Sequence, residues 1–197
     1  MIAAGVSARL RELGFARKGL VFRRTVEDVT HVLAFQVERG GGVESRFSFA
    51  VGTYLPEVER ILRQRKVASP SVPACTVEGH LGGWTVTAGN EADVAKVVLK
   101  AIDARVLPWF AETTELTTLS AAFDTAKRRD LWAPNMLAAA AVALANGKKK
   151  LAKTRVADAV ARIETTLAER FATFGARDPF GKDVLALAER LRKDHAL

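Results

Sequence analysis

The sequence predicts an α+β protein in which an antiparallel sheet of about five strands, with helices on one face, is followed by an all-helical C-terminal region of three or four helices. Three observations carry this. Apolar residues alternate with period two over residues 20–54 and again over 75–89. Short acidic or glycine-rich breaks separate these runs, which is the chemistry of hairpins and hence of antiparallel pairing. From about residue 90 to the end the spacing changes to three and four, the helical period.

Ile2, Val6, Leu10 and Leu13 fall on one helical face, and Gly14 follows as a stop. After Gly19, LVFRRTV and VTHVLAFQVE alternate as two strands, with Glu27 and Asp28 as their turn. Arg39, Gly40, Gly41 and Gly42 offer the backbone freedom of a hairpin connection before ESRFSFAVGTY, the third strand of a meander. Residues 55–66 begin with a proline and carry acids first and bases last, so a short helix is expected there, and the loop SPSVP follows. CTVEGH and WTVTAG, split by Leu81, Gly82 and Gly83, read as a second hairpin that extends the sheet. Asn90 is the expected cap of a helix over residues 91–107 that turns Val94, Val97, Val98, Ala101 and Ile102 inward, and Pro108 ends or bends it.

Beyond residue 112 no strand pattern remains. Leu116, Leu119 and Phe123 mark one helix, and PNMLAAAAVALAN marks a second that closes at Gly147. Residues 149–174 form a third, with Val156, Val160, Ile163, Leu167, Phe171 and Phe174 along one stripe. Residues 177–181 break the chain before a last helix ending near Asp194. Alanines give the second of these helices little bulk, so it should lie close against a neighbour. The organisation expected is a sheet domain, residues 1–111, and a helical region, residues 112–197, packed on or beside it.

Hydrophobic residues at 49% and charged residues at 26% exclude a disordered, collagen-like or fibrous chain. The longest apolar run, residues 136–145, is too short to span a bilayer, and Arg9 and Arg11 stand where a signal peptide needs its apolar centre. A cytoplasmic protein without a membrane partner is therefore expected. One cysteine, Cys75, excludes an internal disulfide, and with three histidines it makes no standard closed zinc site, so neither metal nor organic cofactor is expected.

Catalytic patterns are equally thin. Cys75 and His80 would point to opposite faces of one strand, so a buried structural thiol and a turn histidine explain them better than a dyad. His31 shares a strand face with Leu33, Phe35 and Val37, which suits a hydrogen-bonded core histidine better than a general base. The glycines at 40–42 join two strands, whereas a phosphate-cradling loop runs from a strand into a helix, and Gly147-Lys148 lacks the rest of a Walker motif. No catalytic residue is assigned, and an enzyme is not expected.

The run LGFARKGLVFRR, with Gly14, Phe15, Lys18, Gly19, Phe22 and Arg24, is followed by a strand containing Phe35 and Gln36 and then by FSFAVG. Over roughly residues 1–125 this resembles an uncharacterised bacterial family catalogued as domain of unknown function number forty-three-oh-four. Two positions depart from its pattern: Ala50 stands where the family tends to carry asparagine, and a single tryptophan, Trp84, stands where a pair is usual. The resemblance implies a cytoplasmic bacterial α+β protein and brings no established reaction.

Charge is the remaining feature. The net charge of +8 divides equally between residues 1–110 and 111–197, so neither part is a dedicated basic arm. Locally, residues 127–155 hold Lys127, Arg128, Arg129, Lys148, Lys149, Lys150, Lys153 and Arg155 against one acid, Asp130. Lys148, Lys149 and Lys150 open the longest helix, where the dipole disfavours cations, so they are candidate binding residues, although a polar turn needs such charge for solubility alone. Arg17, Lys18, Arg23 and Arg24 flank the first strand, and cross-strand ion pairs to Glu27, Glu38 or Glu44 are the plainer explanation for them. Gln36, on a strand face with Thr30, Val32 and Ala34, and Trp84, beside two glycines, complete the candidates. The function expected is a non-enzymatic binding module for a protein partner. The alternative is a sequence-independent nucleic-acid or phosphate binder using the cluster at 127–155, although Trp132 is the one stacking aromatic there.

Overall fold

The computed structural model describes residues 2–39, 45–64, 67–124, 133–174 and 179–197. The predicted hairpin glycines 40–42, the basic residues 127–129 with Trp132, and Arg177 and Asp178 of the last break lie outside them. The chain divides into a sheet unit, residues 1–56 and 67–114, and a helical unit, residues 57–66 and 115–197.

In the sheet unit α1 (Ile2–Glu12) ends as Gly14 predicts. Gly14 adopts φ 83°, its N–H reaches the Arg11 carbonyl and the Phe15 N–H reaches the Leu10 carbonyl, both at 2.9 Å, the Schellman pattern. A five-stranded antiparallel sheet follows, in the order β1 (Ala16–Lys18), β2 (Val21–Val26), β3 (Val29–Arg39), β4 (Ser45–Tyr54) and β5 (Val77–Val86). The class of fold is the one expected, but two strands differ. The second hairpin is not formed: residues 77–86 make one strand, and Leu81 to Trp84 pass Phe47 to Phe49 as a bulge. A bulge uses glycine for the same reason as a turn, and Gly82 takes φ 82° here without reversing the chain. The missing strand comes instead from residues 16–18, too short for a periodic signal.

One sheet face packs on α1, α3 (Glu91–Ala101) and α4 (Leu107–Thr114), burying Val6, Leu10, Phe15, Phe22, Leu33, Phe47, Phe49, Val51, Val98, Ile102, Val106 and Phe110 in one core. Pro108 does not stop the helix. Residues 102–106 widen into a π turn just before it, which accommodates the ring and the missing N–H that a regular turn rejects. Asn90 does sit at the N-cap, yet its side chain turns back to accept from the Thr87 N–H at 3.0 Å instead of capping α3. The other face is covered by residues 67–76. Val32, Ala50, Tyr54, Val72 and Cys75 pack there, and the Tyr54 hydroxyl accepts from the Val67 N–H at 2.8 Å.

The helical unit contains α5 (Leu116–Asp124), α6 (Ala133–Ala145), α7 (Lys149–Phe174) and α8 (Pro179–His195), together with α2 (Pro56–Arg63), which lies between β4 and β5 in sequence. Alanine packing is as expected: Leu137 and Ala140 are wholly buried against Val156, Ala159 and Ile163. Gly147 closes α6 as Gly14 closes α1, with the Lys148 N–H on the Ala143 carbonyl at 2.8 Å. Arg190 of α8 donates to the carbonyls of Ile61 and Leu62, capping the C-terminal end of α2.

Candidate functional site

On the helix-covered face of the sheet, the register sets Leu20 against Phe35, Val37 against Phe47 and Ser45 against Val86. The covering ends before these rows do: Leu20 remains 47% and Val37 50% exposed. The result is a cleft of about 210 Å³ walled by Leu20, Phe22, Phe35, Val37, Phe47 and Val86, with Ser7, Arg17 and Ser45 as its polar members. Arg17 projects from β1, opposite Phe22. Its Nε donates to the Gly19 carbonyl at 2.8 Å, one terminal nitrogen donates to the buried Ser7 hydroxyl at 3.1 Å, and the guanidinium lies 5.6 Å over the Phe22 ring. Among the described residues no carboxylate pairs with it.

One turn further along the same face the polar groups are buried. Glu27 and Asp28 form a two-residue turn with Glu27 at φ 54°, which sets Arg24 opposite His31. Arg24 spans the edge of the core: it donates to the Leu13 carbonyl at 3.2 Å and to His31 Nδ1 at 3.1 Å, with its guanidinium 4.9 Å over the Phe15 ring. Its Nε is buried without a hydrogen bond, and burial lowers its pKa from the ordinary value.

His31 is 2% exposed, stacked 4.4 Å from Phe110, and its Nε2 lies 2.7 Å from the Thr114 hydroxyl. Arginine only donates, so Nδ1 must accept and the imidazole proton resides on Nε2. That proton goes to Thr114, whose own hydroxyl donates to the Phe110 carbonyl at 2.6 Å. The chain of donors runs one way from Arg24 through His31 and Thr114 into α4. Burial first, and the Arg24 charge second, push the His31 pKa down to about 4. The imidazole is thus fixed, neutral and sealed under Phe110, which makes it a structural clamp and not a proton carrier for an external substrate.

The other predicted residues are dispersed. Lys18 is exposed beside Arg17. Arg23 points to the opposite face and donates to the Pro70 carbonyl at 2.8 Å, holding the covering segment. The ion pairs expected for these arginines are not made: among the described residues neither Glu27 nor Glu38 pairs with any of them, because backbone carbonyls, Ser7 and His31 take their N–H groups, and Glu44 lies outside the described residues. Gln36 is exposed, 3.4 Å from the Ser48 hydroxyl. Trp84 is half-buried against Phe47 and Phe49, its ring lying where a Cβ on Gly82 would stand, so the neighbouring glycine serves its packing.

In the helical unit Lys148, Lys149, Lys150 and Lys153 are exposed at the start of α7. Arg155 leaves the basic patch to which its position in sequence assigned it. It is 7% exposed and directed inward to Asp124 and to the carbonyls of Ala139 and Ser120, the latter two at 2.8 and 3.1 Å. A groove of about 1050 Å³ beside it is lined by Asp158, Arg162, Thr165 and Thr166 among others, but both terminal nitrogens of Arg155, the buried cation among its described residues, are already taken by protein acceptors. The cleft at Arg17 is the better candidate because one terminal nitrogen of its cation is not.

Among the described residues no helix is long and apolar enough to cross a membrane, and no group of histidine, cysteine and carboxylate side chains is placed to hold a metal ion. No curated protein and no solved structure matches the chain. A family model does match residues 6–112, from the middle of α1 into α4 and therefore across the whole sheet and the cleft. That match spans more than half of the sequence, and the chain accordingly belongs to the family described as Domain of unknown function (DUF4304).

Proposed function

We propose that this chain is a non-enzymatic cytoplasmic binding module that engages a protein partner through the cleft at Arg17. The observation that carries the reading is the size and lining of that cleft. About 210 Å³ is smaller than the 300 Å³ or more typical of sites for cofactors and metabolites, but it suits one anchoring side chain of a protein interface. Half-exposed Leu20 and Val37 extend its apolar wall onto the surface, where a larger partner would cover them. Binding is favoured over chemistry because its polar members offer no proton acceptor of catalytic strength: the Arg17 guanidinium only donates, and the Ser7 hydroxyl is engaged by Arg17 instead of by a base.

The exposed lysines at 148–150 and 153 support the alternative, a sequence-independent nucleic-acid contact. A photo-crosslinking amino acid at position 37, and in a separate variant at position 153, distinguishes the two in the native cell. The proposal expects a protease-sensitive, nuclease-resistant adduct from position 37. A nuclease-sensitive adduct from position 153, with none from position 37, would replace it by the alternative.

A further inference from the structure

Resting on the reading of the cleft as a docking site, we infer that its occupant is a protein chain end: an apolar C-terminal residue whose side chain enters the cleft and whose carboxylate pairs with Arg17. The guanidinium is already oriented by Gly19 and Ser7, so little side-chain freedom is left to lose on binding. Those two bonds occupy Nε and one terminal nitrogen, which leaves the second terminal nitrogen to donate outward. Among the described residues no acid lines the cleft, so it is complementary to an anion.

Geometry narrows which anion. Arg17 lies 5.6 Å over Phe22, itself a wall of the cleft, so the charge and the apolar surface stand within the reach of one residue. A C-terminal residue carries both groups on one Cα. An internal acid on the same side of an extended peptide would stand two residues away, about 7 Å along the chain. Capture of a terminal carboxylate by a preoriented donor set is an established mode of peptide recognition, and here an arginine supplies the donors.

The test uses the isotopically labelled full chain with 3-phenylpropionate, which reproduces a C-terminal phenylalanine without its amine, and with the neutral 3-phenylpropionamide. Both should shift the amides of Leu20, Phe22, Val37 and Val86, the carboxylate should also move the Arg17 Nε–H signal, and it should bind about tenfold tighter. Arg17→Gln should remove the preference and leave the weaker binding, while Val37→Glu should abolish both. Equal affinity of the two compounds at the cleft overturns the chain-end inference and leaves the cleft standing. No shift at the cleft with either compound overturns both readings.

Discussion

Acidification should unfasten the sheet from α4 through His31. Its pKa of about 4 in the folded chain lies about 2.5 units below that of an exposed histidine, and at about 1.4 kcal/mol per unit the neutral clamp is worth about 3.5 kcal/mol. The unfolded chain takes up a proton on this side chain below pH 6.5, and the folded chain resists doing so until about pH 4. The contribution is therefore complete above pH 6.5, falls between 6.5 and 4, and is gone below. Protonation would set an N–H on Nδ1 against the N–H of Arg24, which can accept nothing. Carboxylates titrate in the same range, so the comparison must be with His31→Gln, which keeps an acceptor for Arg24 and a donor for Thr114 but cannot titrate. Urea unfolding of both chains at pH 7, 6, 5 and 4 should show the wild type losing up to about 1.4 kcal/mol per pH unit more than the variant. Parallel curves, or a His31 imidazole titrating near 6.5 by NMR, would refute the argument.

Further expectations follow from single contacts. Arg155→Met should destabilise by about 2–4 kcal/mol in thermal or urea unfolding, because the carbonyls of Ala139 and Ser120 lose their buried donor. Gly52→Ala should cost about 1–3 kcal/mol, since the new methyl would lie 2.6 Å from the Cys75 Sγ; as it would also lie 2.7 Å from the Cys75 Cβ, Cys75→Ala should not restore the loss. Gly82→Ala should eject the Trp84 ring, read as a red shift of emission in a Trp109→Phe, Trp132→Phe background, because its methyl would occupy the ring's place at a positive φ. Lys148, Lys149 and Lys150 changed together to alanine should leave unfolding within about 0.5 kcal/mol, their side chains being exposed, and should not alter crosslinking from position 37.

Much of this organisation is legible in the residues. The period-two runs set Phe22, Leu33, Phe35 and Phe49 on one face, and the glycines at 14 and 147 end their helices where backbone sterics demand. Even the Arg24 and His31 pairing is implicit, since a two-residue turn at 27 and 28 opposes residues whose numbers sum to 55. What could not be read is the partner across distance. Thr114 and Phe110 meet His31 from about eighty residues away, and Arg155 meets Ser120 and Ala139 through the packing of helices whose faces all look alike in sequence. The cleft escaped for a related reason: Val37 has the pattern of a core position, and only the extent of the covering helices leaves it half exposed.

The placement of α2 bears on how the polypeptide matures. This helix is synthesised between β4 and β5, yet its Ile61 packs with the α6, α7 and α8 core and its terminal carbonyls wait for Arg190. On a ribosome adding about 5–20 residues per second, α2 spends on the order of ten seconds outside the exit tunnel before that arginine is made. During that interval β5 must find β4 while Ile61 of α2 lacks the helices it packs against. The family match ends at residue 112, well short of Arg190, and a fragment cut to those bounds would keep α2 permanently in its nascent state.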